Sequence, residues 1–190
     1  DCLLSRGLGD VYKRQEYLVT LDDESKTVTV DLNGKTLLYT GSGTGSNQQN
    51  GEAISVNAGK LVLKNGTVNM VNDEAGGSVY WGIRVHGTGS LAMSKVTVTS
   101  EDSPLFMSNV SAGGRIYLTL DECYIEGVYS AVYMNGSSSP AEITINNSTI
   151  VSTGDVGIYV SNSVNTGNRQ KLTITAVSYT HLTLPTKRIV

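Results

Sequence analysis

Apolar and polar positions alternate along this chain in short bursts, and one burst recurs. Its order is apolar, any residue, apolar, two turn residues, a variable residue, any residue, apolar. Copies begin at Val30, Leu61, Leu91, Leu118 and Ile143, and Leu172 opens a shorter sixth. Their spacings are 31, 30, 27, 25 and 29 residues. Period-two alternation inside a nearly constant longer period predicts stacked β-coils, one unit per repeat.

Numbering the phrase from one to eight assigns a role to each position. Position one holds Val30, Leu61, Leu91, Leu118, Ile143 and Leu172; position three holds Leu32, Leu63, Met93, Leu120, Ile145 and Ile174. Alternate strand residues share a face, so both positions point inward. Positions four and five supply a bend through Asn33-Gly34, Lys64-Asn65, Ser94-Lys95, Asp121-Glu122 and Asn146-Asn147, mostly turn-tolerant residues. Asn side chains stacked there would bond along the coil axis. Position eight (Leu37, Val68, Val98, Ile125, Ile150) then re-enters the core. Cys123 falls at position six, beside Gly66, Val96 and Ser148 of other copies, and reads as a small buried residue.

A second strand precedes each phrase in the order small, apolar, outward, apolar. It reads Ala53–Val56, Gly82–Val85, Pro104–Met107, Ala131–Met134 and Gly157–Val160. Gly- and Ser-rich bends separate the two strands, and the longer stretches Gly41–Gly51 and Asn72–Gly77 are insertions that leave on one side. No helical periodicity is present. The fold class predicted is all-β, a right-handed parallel β-helix solenoid of about six coils. An antiparallel sandwich also has short, evenly spaced strands, but gives no reason for the same phrase in every unit.

The two ends do not follow this grammar. Asp10–Gln15 can be written GAT-GTG-TAT-AAG-AGA-CAG, and Val177–Leu182 can be written GTC-TCT-TAT-ACA-CAT-CTG. Apart from their outermost bases, these strings are reverse complements. They resemble the translated end sequence of a transposase-based sequencing library. The expectation is therefore adapter-derived sequence at 1–15 and 177–190, with the β-helix fragment at 16–176 and the ends outside the coil stacking.

Composition narrows the partners. The chain carries 14 Lys and Arg against 17 Asp and Glu, a net charge of −3; without the two ends, nine basic and 15 acidic residues remain, or −6. No basic patch exists, which argues against nucleic acid. No apolar run approaches the length of a membrane span, so membrane insertion by this segment is not expected. Cys123 is the single cysteine outside the ends, which leaves neither a disulfide framework nor a cysteine zinc site within this segment.

The stretch Lys26–Leu37, with similar phrases at Gly59–Val68 and Ala141–Ile150, resembles the coils of pectate-lyase-like β-helix proteins. That resemblance covers 16–176 and is one of architecture. It implies a secreted or cell-surface bacterial protein. The superfamily includes polysaccharide lyases, glycoside hydrolases, adhesins and phage tailspikes, and fold does not choose among them. The leading expectation is a non-catalytic, adhesin-like structural segment with a polysaccharide or cell-surface glycan as partner. The alternative is a fragment of a polysaccharide lyase or glycoside hydrolase.

Candidate chemistry is thin. Hydrolysis needs two carboxyl groups across the scissile bond, and lyases of the resembled family combine calcium-binding carboxylates with a basic residue. Asp73, Glu74, Glu101 and Asp102 precede the second strands of successive coils, and as neighbours they would form a weak calcium site. No cofactor is expected apart from such a calcium ion. Val85-His86-Gly87 matches the Gly-His-Gly of polygalacturonases only in part, and no paired Asp motif follows, so His86 reads as a turn-edge histidine. The outward position of the second strand is more informative. It runs Ser55, Arg84, Phe106, Tyr133, Tyr159, which predicts an exposed aromatic row ending in Arg84, extended by Tyr80 or Trp81. Such a row would either stack on sugar rings or stabilise itself as a ladder. Position seven is Thr36, Thr67, Thr97 and Thr149, with Tyr124 as the exception, and reads as structural.

Overall fold

The computed structural model describes residues 19–41, 51–73, 76–108, 114–135, 141–161 and 171–180. Among them, fourteen strands form one sheet that winds as a parallel β-solenoid. The first wall carries the phrase strands. These are the end of β1 (Val19–Asp31), the middle of β3 (Ile54–Asn72), the start of β5 (Ser90–Ser100), then β7 (Ile116–Asp121), β10 (Ala141–Asn146) and β13 (Lys171–Thr175). The second wall holds β2 (Thr36–Gly41), the ends of β3 and β5, β8 (Tyr124–Gly127), β11 (Thr149–Ser152) and β14 (Ser178–Thr180). The third wall holds the starts of β1 and β3, then β4 (Trp81–Val85), β6 (Ser103–Ser108), β9 (Val132–Asn135) and β12 (Ile158–Ser161).

Stacking is in register with the repeat from the second copy onward; in the first, Val28 rather than Val30 pairs with Leu61, and Val30 pairs with Leu63, so the predicted phase of that strand is off by two residues. Leu61, Leu91, Leu118, Ile143 and Leu172 are paired in succession, as are Leu63, Met93, Leu120, Ile145 and Ile174. Val68, Val98, Ile125 and Ile150 do the same on the second wall. Parallel pairing places each apolar side chain over its counterpart, and from Leu61 to Ile150 the columns fuse into one buried core; Leu172 and Ile174, expected inward, are exposed on the last described first-wall strand. Cys123 belongs to the core, as the sequence predicts, and its N–H donates to the buried Ser148 Oγ at 3.0 Å. That hydroxyl in turn donates to the Asn146 carbonyl, which satisfies a polar group that would otherwise be costly to bury.

The bend between the first two walls turns on position five, which lies in the left-handed region. Position five has positive φ in every copy: Gly34 at 73°, Asn65 at 54°, Lys95 at 56°, Glu122 at 51°, Asn147 at 47° and Ala176 at 51°. One such residue between two extended segments turns the chain sharply, and Gly or Asn adopts it at least cost. In the first copy Asn33 is left-handed too, at 48°. The bonds along the axis run from Asn to Asp rather than from Asn to Asn. Asn65 Nδ2 donates to both carboxylate oxygens of Asp31 (3.2 and 3.1 Å), and Asn147 Nδ2 to Asp121 Oδ1 at 3.4 Å.

Two expectations change in detail. The solenoid makes about four turns, not about six. The copies at Leu61, Leu91, Leu118 and Ile143 are stacked on both sides, whereas those at Val30 and Leu172 have a described neighbour on one side only. Stacking also passes residue 176. Val177 packs on the core, and Ser178, Tyr179 and Thr180 pair with Thr149, Ile150 and Val151. An open strand edge pairs through backbone groups that any sequence supplies, so the pairing says nothing about the origin of those residues. Residues 1–15 and 181–190 lie outside the described residues.

Candidate functional site

Inward Ile83, Val85, Leu105, Met107, Val132 and Met134 are fully buried on the third wall, which turns the residue between each pair outward. Ser55, Arg84, Phe106, Tyr133 and Tyr159 are thereby paired in register on five successive strands. The predicted column exists.

Its exposure differs from the expectation. Phe106 is only 4% exposed, because Trp81 lies flat against it with ring centroids 4.3 Å apart and planes 7° from parallel. Phe106 and Tyr133 follow at 5.2 Å and 31°, then Tyr133 and Tyr159 at 4.7 Å and 23°. Arg84 Cζ stands 5.6 Å from the centre of the Trp81 ring, in cation–π range. Strand spacing along the axis nearly equals ring-stacking distance, so in-register rings cover one another's faces. A sugar platform needs an open ring face; the middle of this row offers edges.

Arg84 is anchored by a partner the sequence reading missed. Its Nη1 donates to Glu52 Oε1 at 2.9 Å, with Glu52 2% and Arg84 17% exposed. Burial pushes the Glu52 carboxyl above its ordinary range, and the Arg84 charge pulls against it. Burial and the Glu52 charge also raise the Tyr39 phenol. The signal for this pair was one acidic and one basic residue before and on the same wall of adjacent coils. Arg84 Nε is buried without a hydrogen-bond partner.

Below Arg84, Ser55 Oγ donates to Asn57 Oδ1 at 2.8 Å and meets His86 Nε2 at 3.1 Å. The direction of the Ser55–His86 bond follows the imidazole tautomer. Burial first, and the Arg84 charge next, hold His86 below its ordinary range against an opposing effect of Asp22. Burial and the Arg84 charge both favour the neutral imidazole.

Three of the four carboxylates singled out by sequence, Asp73, Glu101 and Asp102, lie among the described residues. Glu101 Oε2 accepts from the Asn72 N–H at 2.6 Å, and Asp102 Oδ1 from the Ser103 N–H at 2.6 Å. Burial raises the Asp102 carboxyl. Asp73 bonds through its backbone N–H to Gly41 and Gly77, and Glu74 lies outside the described residues. Among the described residues, no three His, Cys, Asp or Glu side chains are grouped to hold a metal. No described helix is long and apolar enough to cross a membrane.

The molecule is a parallel β-solenoid whose outward third wall carries an internally stacked aromatic column. No family model, curated protein or solved structure matches the chain.

Proposed function

We propose that this chain is a non-catalytic, rod-like segment of a secreted or cell-surface bacterial β-helix protein, with extension and display as its work. One observation supports this above others: the polar and aromatic groups of the third wall are engaged with one another. Arg84 holds Glu52 and covers Trp81, the rings cover each other, and Ser55 is tied to Asn57 and His86. Groups so engaged stiffen a wall but leave little free to bind and turn over a polymer. In this reading a polysaccharide or cell-surface glycan is a partner of the rod, not a substrate.

The test joins stability to activity. Tyr133→Ala removes two ring contacts, each worth about 0.5–1.5 kcal/mol beyond burial, and is expected to lower unfolding free energy by about 1–3 kcal/mol in urea titration. The intact chain is expected to leave polygalacturonate and neutral polysaccharides undegraded, with or without calcium. Turnover abolished by Asp73→Asn or Glu101→Gln would overturn the proposal in favour of a lyase or hydrolase.

A further inference from the structure

The repeat supplies its own standard, and three departures from it meet in one place. Along the second wall, position seven is Thr36, Thr67, Thr97, Tyr124 and Thr149, paired in register. Tyr124 is the one aromatic residue in that column. At position five, the neighbouring copies use Asn65 and Asn147, which suit positive φ, yet Lys95 and Glu122 hold the same conformation. Lys95, Glu122 and Tyr124 line one open groove of about 710 Å³, with Thr97, Asn147 and Thr149 completing its rim.

Stability alone does not account for these choices. Lys and Glu are poor residues for the left-handed region. Their side chains are 60% and 54% exposed and approach no closer than 3.8 Å, and an exposed pair of that kind contributes little. What Lys95 and Glu122 add is what they present to solvent. Tyr124 differs from the rings of the third wall in the same sense. Its neighbours along the axis are threonines, it is 36% exposed, and its hydroxyl donates to Glu126 Oε2 at 2.6 Å, which fixes the ring's direction.

We propose that this groove is a binding subsite for a neutral saccharide ring. The apolar C–H face of a pyranose would lie on Tyr124. Lys95 donates, Glu122 accepts and the Asn147 amide does either, which matches hydroxyls that are both donors and acceptors. The Lys95 and Glu122 charges cancel, and the Glu126 carboxylate sits at the Tyr124 hydroxyl, so an acidic sugar is disfavoured. This subsite lies on a different wall from the aromatic column and does not depend on the rod reading.

Saturation-transfer NMR on the intact chain would test it with cellohexaose and mannohexaose as neutral probes and hexagalacturonate as the acidic one. Transfer to C–H protons of at least one neutral probe is expected. Tyr124→Thr, which restores the repeat's own residue, should weaken binding by about tenfold or more, as for an aromatic contact central to an interface. Tyr124→Phe should retain it. The pair Lys95→Asn and Glu122→Asn should raise the melting temperature while weakening binding. Absence of transfer to either neutral probe, preference for hexagalacturonate, or undiminished binding by Tyr124→Thr would overturn the proposal.

Discussion

Arg84 and Glu52 show what a single charged residue contributes in this wall. Because burial raises the Glu52 carboxyl, ionising it costs stability. That cost is absent below the ordinary carboxylate range and grows as pH rises through the raised value. Arg84 offsets it. Arg84→Gln would leave the Glu52 carboxylate buried and unpaired, and is expected to cost about 3–5 kcal/mol at pH 7. Below about pH 4, where Glu is protonated even at its ordinary value, the difference between mutant and parent should shrink. Urea titrations of both proteins at the two pH values check this, and an equal difference would remove Glu52 as the charged partner. The outward column containing Arg84 was legible in the sequence, because alternation in a strand fixes which residue faces out. The Glu52 contact was not, since it depends on how far a long side chain reaches across coils. The cover that Trp81 places on Phe106 was missed for the same reason: sequence assigns a face, not what lies over it.

At the scale of elements, the phrase strands carry the fold. Leu120 is wholly buried between Met93 and Ile145, while Thr119 faces solvent between Ala92 and Thr144. Leu120→Ala is expected to cost about 2–5 kcal/mol. Thr119→Ala should stay within about 0.5 kcal/mol, the usual range for a surface change. Chemical denaturation of the two variants measures the contrast, and equal costs would mean an inward face shifted by one residue. These columns could be read from sequence because parallel in-register stacking sets like positions of successive copies side by side. The bend was legible only in part. Turn-tolerant residues marked positions four and five, but Ser94-Lys95 and Asp121-Glu122 do not show which residue goes left-handed. The structure puts it at position five even where the residue is Lys or Glu. The passage of the second wall through Ser178–Thr180 had no hydrophobic signal, because three residues on an open edge pair by backbone alone.

For the whole molecule, each coil touches only the coils before and after it, so stability should be a sum of coils and the contacts between them. A deletion can separate that property from ordinary globular cooperativity. Leu91 and Leu118, equivalent positions of adjacent copies, are 27 residues apart. Removing Leu91–Tyr117 joins Ser90 to Leu118, and Ser90 already pairs with Tyr117, so the junction keeps its phase. Leu118 then meets Leu61, Ile125 meets Val68, and on the third wall Tyr133 takes the place of Phe106 beside Arg84. The shortened chain is expected to stay folded, with a β-type circular dichroism spectrum. Its denaturant slope should fall by about one-sixth, because that slope follows the surface exposed on unfolding. Removing only Leu91–Ser103 takes away part of a coil. It sets the third-wall residues from Pro104 onward against the first wall, where Leu91 had faced Leu61, and should abolish the cooperative transition. If both deletions unfolded the chain alike, contacts beyond the neighbouring coil would be holding it together, and a sum of coils would not describe its stability.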